Sequence, residues 1–158
     1  MSEERHTAAE DPVAITVMQL LEEPPEGIPG HLEVVCLIWH DRQRSRQRLV
    51  SDQGTVIQLM LPRGTHLRDG DLLYADAQRH IRVKAQAEPV LLIQPENPIQ
   101  MGQVIHQLGN WHRPAHISPQ GQIRALADAP LQDWLAHLGI PFRLEMAVFE
   151  PNLLAHSH

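Results

Sequence analysis

Cysteine is nearly missing from this chain. The single Cys36 excludes an internal disulfide framework and any structural zinc site built on cysteine thiolates. It lies in Leu32-Glu33-Val34-Val35-Cys36-Leu37-Ile38-Trp39, which reads as a buried strand, so the thiol is expected to be a small core hydrophobe. Long hydrophobic runs are missing as well. No segment approaches the roughly 18 consecutive apolar residues that a membrane span needs, and residues 1–12 are acidic and polar, without the apolar stretch of a secretory signal. The expectation is a cytoplasmic protein with no membrane partner. Basic residues are in the minority, 13 Lys and Arg against 19 Asp and Glu, and the net charge of −6 argues against general nucleic-acid binding, which depends on neutralising phosphates. Such a charge suits divalent cations better. Enzyme signatures are absent too: there is no glycine-rich phosphate loop, no Gly-x-Ser-x-Gly elbow and no carboxylate pair beside the histidine-bearing segment to act as a general base. The chain reads as a binding protein and not as an enzyme.

What is present is an ordinary apolar fraction, 42%, with an excess of histidine, 11 residues in 158. The first is enough for a buried core. The second suits metal, because imidazole is the commonest metal-binding side chain, although most of these histidines are scattered, and scattered histidines usually are surface or packed imidazoles. The fold class expected is α+β, in two domains and a tail. Residues 13–88 lack a 3.6-residue period and carry short β-rich runs at 32–39, 47–50, 56–61, 72–75 and 81–87, with turns at Asp52-Gln53-Gly54, Pro62-Arg63-Gly64 and Asp69-Gly70-Asp71. That pattern predicts an all-β sandwich or barrel-like module. Pro24, Pro25 and Pro29 mark a loop. Residues 89–151 change character: strand 90–93, helix 98–108 with Pro98 in its first turn and Gly109 as its stop, strands 115–118 and 122–127, helix 131–138 ended by Gly139, and strand 143–149. The order βαββαβ is the ferredoxin-like arrangement, a four-stranded antiparallel sheet with two helices on one face. Residues 152–158 form a flexible tail bearing His156 and His158.

His112 is the leading candidate ligand. Gly109 is free to adopt the left-handed conformation that ends a helix, which would turn the following residues outward and present the imidazole in a fixed direction. A plain surface histidine in a loop fits the same residues, and the sequence leaves both open. His116 is a weaker candidate. Pro114 argues against one helix carrying both, whereas an extended segment would put them on one face, and a solvated strand residue is the simpler account. His106 falls on the helix itself and reads as a surface residue. His156 and His158 are auxiliary ligands if the tail takes part, and a solvated chain end otherwise. Arg42, Arg44, Arg46 and Arg48 alternate, so an extended segment would align four guanidinium groups for an acidic partner or phosphate; a solvated edge strand would look the same. Trp39 and Trp134 read as core anchors, and Trp111 as exposed. With one well-placed ligand per chain, a two-fold dimer would bring two His112 side chains together. Imidazole without thiolate suits nickel, copper or zinc.

These residues resemble a known family. Leu108-Gly109-Asn110-Trp111-His112 is similar to the Leu-Gly-Asn-Arg-His signature of the urease accessory nickel metallochaperone family UreE, with Trp111 where the signature has Arg. Arg46-Gln47-Arg48-Leu49, Leu61-Pro62-Arg63-Gly64 and Asp69-Gly70-Asp71 resemble turns of that family's N-terminal domain, and Phe149-Glu150-Pro151 resembles the segment before its histidine-bearing tail. The resemblance covers the chain from about Met18 to His158. It implies a partner-binding β-domain, a ferredoxin-like metal-binding domain, and a homodimer with nickel at its interface. It also implies delivery of nickel to urease through the GTPase UreG and the urease maturation complex. The family's interfacial ligand carries over to His112 and its tail ligands to His156 and His158. Two alternatives stand beside this: a buffer that stores nickel, copper or zinc with no dedicated recipient, and a zinc hydrolase, which the missing carboxylate base disfavours.

Overall fold

The structure is a computed structural model and describes residues 13–154. The chain forms two compact units that divide between Lys84 and Ala85. The N-terminal unit contains β1 (Ile15–Val17), β2 (His31–Leu37), the single helical turn α1 (Trp39–Arg42), β3 (Arg46–Val50), β4 (Val56–Met60), β5 (Leu72–Ala75) and β6 (Arg79–Ala85). Two three-stranded sheets result, in the orders β1-β4-β3 and β2-β6-β5. Alternation decides what each strand buries. Val35 and Leu37 of β2 and Ile81 and Val83 of β6 join Leu49, Ile57 and Leu59 of the other sheet in one core. Both sheets therefore pack around the same apolar interior, as the sequence predicts for a sandwich-like module. Gly30 allows the chain to enter β2 past a neighbouring segment: at its φ of +95° a Cβ would stand 2.3 Å from the Gln78 carbonyl oxygen.

The inward-facing register of β2 begins with a charge. Glu33 is 1% exposed and accepts hydrogen bonds from the Ser51 hydroxyl (2.7 Å), the Thr55 hydroxyl (2.6 Å) and the Arg79 guanidinium (3.1 Å). Arg79 also donates to Thr55 Oγ1 at 2.8 Å. Burial alone would push the carboxyl pKa up, but the bonds from Thr55, Ser51 and Arg79 together outweigh it and hold the pKa below its ordinary value. The network ties β2 to β6 and to the turn between β3 and β4.

The C-terminal unit runs β7 (Glu88–Ile93), α2 (Pro98–Asn110), β8 (His116–Ile117), β9 (Ile123–Leu126), α3 (Ala129–Leu138) and β10 (Phe142–Ala147). Its sheet has the order β10-β7-β9-β8 with every neighbouring pair antiparallel. This is the expected ferredoxin-like βαββαβ arrangement. Leu91 sits opposite Ala125 and Ile93 opposite Ile123, and these residues share a core with Val104 and Leu108 of α2 and Leu131 and Leu135 of α3. Both helices thus cover the same face of the sheet.

Several local expectations are overturned. The first apolar run stays extended only to Leu37, because Trp39–Arg42 closes a helical turn with the Arg42 amide donating to the Ile38 carbonyl at 3.0 Å. Cys36 falls on the outward-facing parity of β2 and is exposed, not a core residue. Arg42 is buried at 1% exposure, its guanidinium 5.6 Å from the Trp39 ring centroid. The four-arginine stripe is thereby reduced: Arg44 is exposed in the turn, and Arg46 and Arg48 are exposed on the edge strand β3. Trp39 and Trp134 are half-buried; Trp134 packs against the C-terminal core, whereas Trp39 is not part of the N-terminal core cluster.

Candidate metal centre

Helix α2 brings His112 to the surface. Asn97 caps its start by accepting from the Gln100 amide at 2.9 Å, with Pro98 in the first turn. Met101, Val104, Ile105 and Leu108 recur at helical spacing and pack inward, and His106 is exposed on the opposite side. Gly109 does not end the helix, which continues to Asn110. The apolar period explains why: Trp111 falls three residues after Leu108 and packs against the same core.

The stop lies at His112 itself. The Arg113 amide donates to the Leu108 carbonyl (2.9 Å) and the His112 amide to the Gly109 carbonyl (3.1 Å). These two bonds define a Schellman ending, whose geometry requires a left-handed residue at the position His112 occupies. His112 accordingly has φ +54°, the only non-glycine positive φ among the described residues. Helix α3 ends in the same way: Ile140 donates to Leu135 (3.0 Å), Gly139 donates to Ala136 (3.1 Å), and the left-handed residue is Gly139 at φ +68°. One backbone solution appears twice, with glycine in one helix and histidine in the other. A left-handed L-residue costs roughly 1–2 kcal/mol, although histidine tolerates that region better than most. The His112 side chain is exposed, and no hydrogen bond or ion pair to it is found among the described residues.

Its neighbours are held. The Trp111 ring meets Trp134 of α3 edge-on, centroids 6.2 Å apart at 65°. Trp111 is half-buried, contrary to the exposed reading. The Arg113 guanidinium lies 4.6 Å from the Trp111 centroid and forms an ion pair with Asp128. Asp128 also caps α3, accepting from the Leu131 amide at 2.8 Å.

His116 opens β8 and is half-buried. Its Nδ1 lies 3.1 Å from the Glu150 carbonyl. A carbonyl only accepts, so Nδ1 is the donor in this contact. The shared-face argument for His112 and His116 does not hold, because β8 starts only at His116 and the left-handed turn at His112 breaks the alternation. Among the described residues no group of three or more His, Cys, Asp and Glu side chains is placed to hold a metal ion. His156 and His158 lie outside the described residues. The last described segment is nonetheless stitched beside this site: Ala115 and Leu153 exchange backbone bonds at 2.9 Å, and the Asn152 side chain bonds both backbone groups of Ile117 at 2.9 Å. Sequence reasoning missed Arg113 and Asp128. Asp128 before Ala129-Pro130 was a visible cap signal, but its pairing across to the end of α2 is tertiary and left no local trace.

A β-rich unit joined to a ferredoxin-like unit that displays an imidazole from a helix end defines a two-domain α+β protein. Residues 15–86 match the N-terminal domain, and residues 88–158 the C-terminal domain, of the urease accessory protein UreE. The chain is 39% identical over 145 residues to the urease accessory protein UreE of Synechococcus sp. (strain JA-3-3Ab), covering 90% of this chain and 97% of the relative. It is 39% identical over 130 residues to that of Staphylococcus aureus (strain Newman), 81% and 86%, and 37% identical over 119 residues to that of Nostoc sp. (strain PCC 7120), 75% and 80%. The chain belongs to the UreE family of urease accessory proteins.

Proposed function

We propose that this protein carries nickel for urease maturation: it binds the ion at His112 and passes it on without transforming a substrate. The observation that carries the reading is a histidine accepted at the left-handed position of a helix ending where α3 uses glycine. An exposed imidazole with no hydrogen bond to the described residues can take a metal, and release it, without disturbing the core. The ion is cargo, with nickel the intended metal; copper and zinc suit the same imidazole donor.

One imidazole does not hold nickel alone, and our reading draws the other ligands from two sources. A homodimer with the His112 loops at its two-fold axis supplies the second. His156 and His158 supply auxiliary ligands. The tail departs from Leu153, which is bridged to Ala115, three residues past His112. The units then divide labour, with 13–88 meeting partners, 89–151 binding metal and 152–158 the tail. The recipient is the urease maturation complex, reached through the GTPase UreG in the cytoplasm. No described helix is long and apolar enough to cross a membrane.

Calorimetric titration of nickel into the wild type, His112→Ala and a chain truncated after Ala155 tests this. The tight site is expected to vanish in His112→Ala with the dimer intact, and truncation to lower affinity or stoichiometry modestly. Unchanged tight binding in His112→Ala refutes the assignment. Loss of all binding on truncation alone moves the main site to the tail.

A further inference from the structure

His112 has a ligand's exposure but sits in a conformation its side chain does not favour, so something must hold it there. The two hydrogen bonds of the helix ending are one restraint. The second is side-chain packing on both flanks. On one side Trp111 is fixed by its edge contact with Trp134 and by packing on the core. On the other, Arg113 is fixed twice, by stacking on Trp111 and by its ion pair with Asp128. Asp128 is itself fixed, because its carboxylate caps α3. A chain of contacts thus runs from the start of α3 to both residues next to His112.

We propose that Trp111, Arg113, Asp128 and Trp134 act as a clamp that positions the His112 imidazole for metal, through the backbone and not by touching the ion. This rests on the reading of His112 as the ligand. Arg113 and Asp128 side chains are 29% and 38% exposed, so solvent screens the pair and its contribution to overall stability is small. Its effect is conformational: when it is lost, Arg113 is released from one of its two anchors and the left-handed turn competes with other loop conformations. Only the fraction of molecules with the imidazole correctly presented binds metal, so apparent affinity falls with that fraction.

Asp128→Asn isolates the pair, because asparagine caps a helix as well as aspartate does but cannot bind a guanidinium as an ion pair. Two readouts are compared with His112→Ala: nickel affinity by calorimetry, and the His112 Cα and Cβ chemical shifts of the metal-free protein, which report its backbone conformation. The expected result for Asp128→Asn is a nickel Kd weaker by about 10-fold, the scale on which supporting residues act on metal sites, with His112 shifts moved away from left-handed values and core shifts unchanged. Arg113→Lys keeps the charge but not the planar stack, and is expected to fall between the wild type and Asp128→Asn. If His112→Ala abolishes tight binding while Asp128→Asn and Arg113→Ala leave both affinity and His112 shifts at wild-type values, the clamp is overturned and the ligand assignment stands. If His112→Ala binds nickel as tightly as wild type, the ligand assignment fails and the clamp loses its role with it. Should Asp128→Asn disturb the core shifts, Arg113→Lys and Arg113→Ala decide by the same two readouts.

Discussion

Replacing His112 by glycine and by alanine separates the conformational demand at this position from the loss of its imidazole. Both variants lack the imidazole, and they differ in their tolerance of φ +54°. Alanine in the left-handed region carries the roughly 1–2 kcal/mol penalty of an L-residue, whereas glycine carries none but loses about 0.5–1 kcal/mol more conformational entropy on folding. His112→Gly is therefore expected to be more stable than His112→Ala by up to about 1 kcal/mol. Gly139→Ala is the control at the equivalent point of α3. A Cβ there meets nothing within 4 Å, so its expected loss of about 1 kcal/mol is purely conformational. Denaturant unfolding followed by tryptophan fluorescence reads both, because Trp111 and Trp134 are in contact in this unit. For a unit of this size, 1 kcal/mol corresponds to about 4–8 °C in Tm. Alanine the more stable by about 0.5–1 kcal/mol, the ordering found at an ordinary helical or extended position, would show that position 112 is not left-handed, and the account of how the imidazole is displayed would fail.

Two further outcomes concern the N-terminal unit. Glu33→Ala removes the acceptor of three hydrogen bonds from a buried site and is expected to cost about 3 kcal/mol in denaturant unfolding; a loss under about 1 kcal/mol contradicts the network's role. Because the folded carboxyl pKa is depressed, its contribution is complete above the ordinary value of 4.5 and is lost as pH falls through the lower folded value. Wild type should therefore lose stability below about pH 4.5 more steeply than Glu33→Gln. Cys36, on the outward parity of β2, is expected to react with a thiol reagent in the native protein as fast as in denaturant within about an order of magnitude. Protection by many orders would place it in the core after all.

The parts of the fold set by periodicity were legible before any coordinates. The βαββαβ order and the capping role of Gly139 follow from local spacing, and both appear in the C-terminal unit. Misreadings arose where one residue type serves two structures. Gly109 looked like a helix stop because glycine usually is one, yet the apolar period ran on to Trp111 and packing carried the helix past it. Cys36 was misplaced because β2 buries only one face, that of Glu33, Val35 and Leu37, and Arg42 because the helical turn at Trp39–Arg42 ended the strand early and broke the arginine alternation. The strand at Ile15–Val17 escaped notice because it is only three residues long and is held by parallel pairing to β4, a distant partner. At the candidate site, His112 was visible as a residue but its left-handed backbone was not, since the Schellman bonds and the contacts from α3 are relations between segments.

The strain at His112 also bears on how metal affects stability. A protein that keeps histidine at a position suited to glycine accepts a cost of order 1 kcal/mol in its metal-free state. A ligand that binds only the folded form returns RT ln(1 + [L]/Kd), which at ten times Kd is about 1.4 kcal/mol. The loaded protein thus recovers about what the empty one lacks, and unloading restores the deficit. Nickel at ten times its Kd is therefore expected to raise the unfolding midpoint of the wild type by several degrees. His112→Gly should start from an equal or higher midpoint and gain nothing from nickel at the same concentration. A rise of equal size in His112→Gly would mean that the stabilising ion sits on other ligands, leaving the left-handed histidine without the metal-binding role that accounts for it.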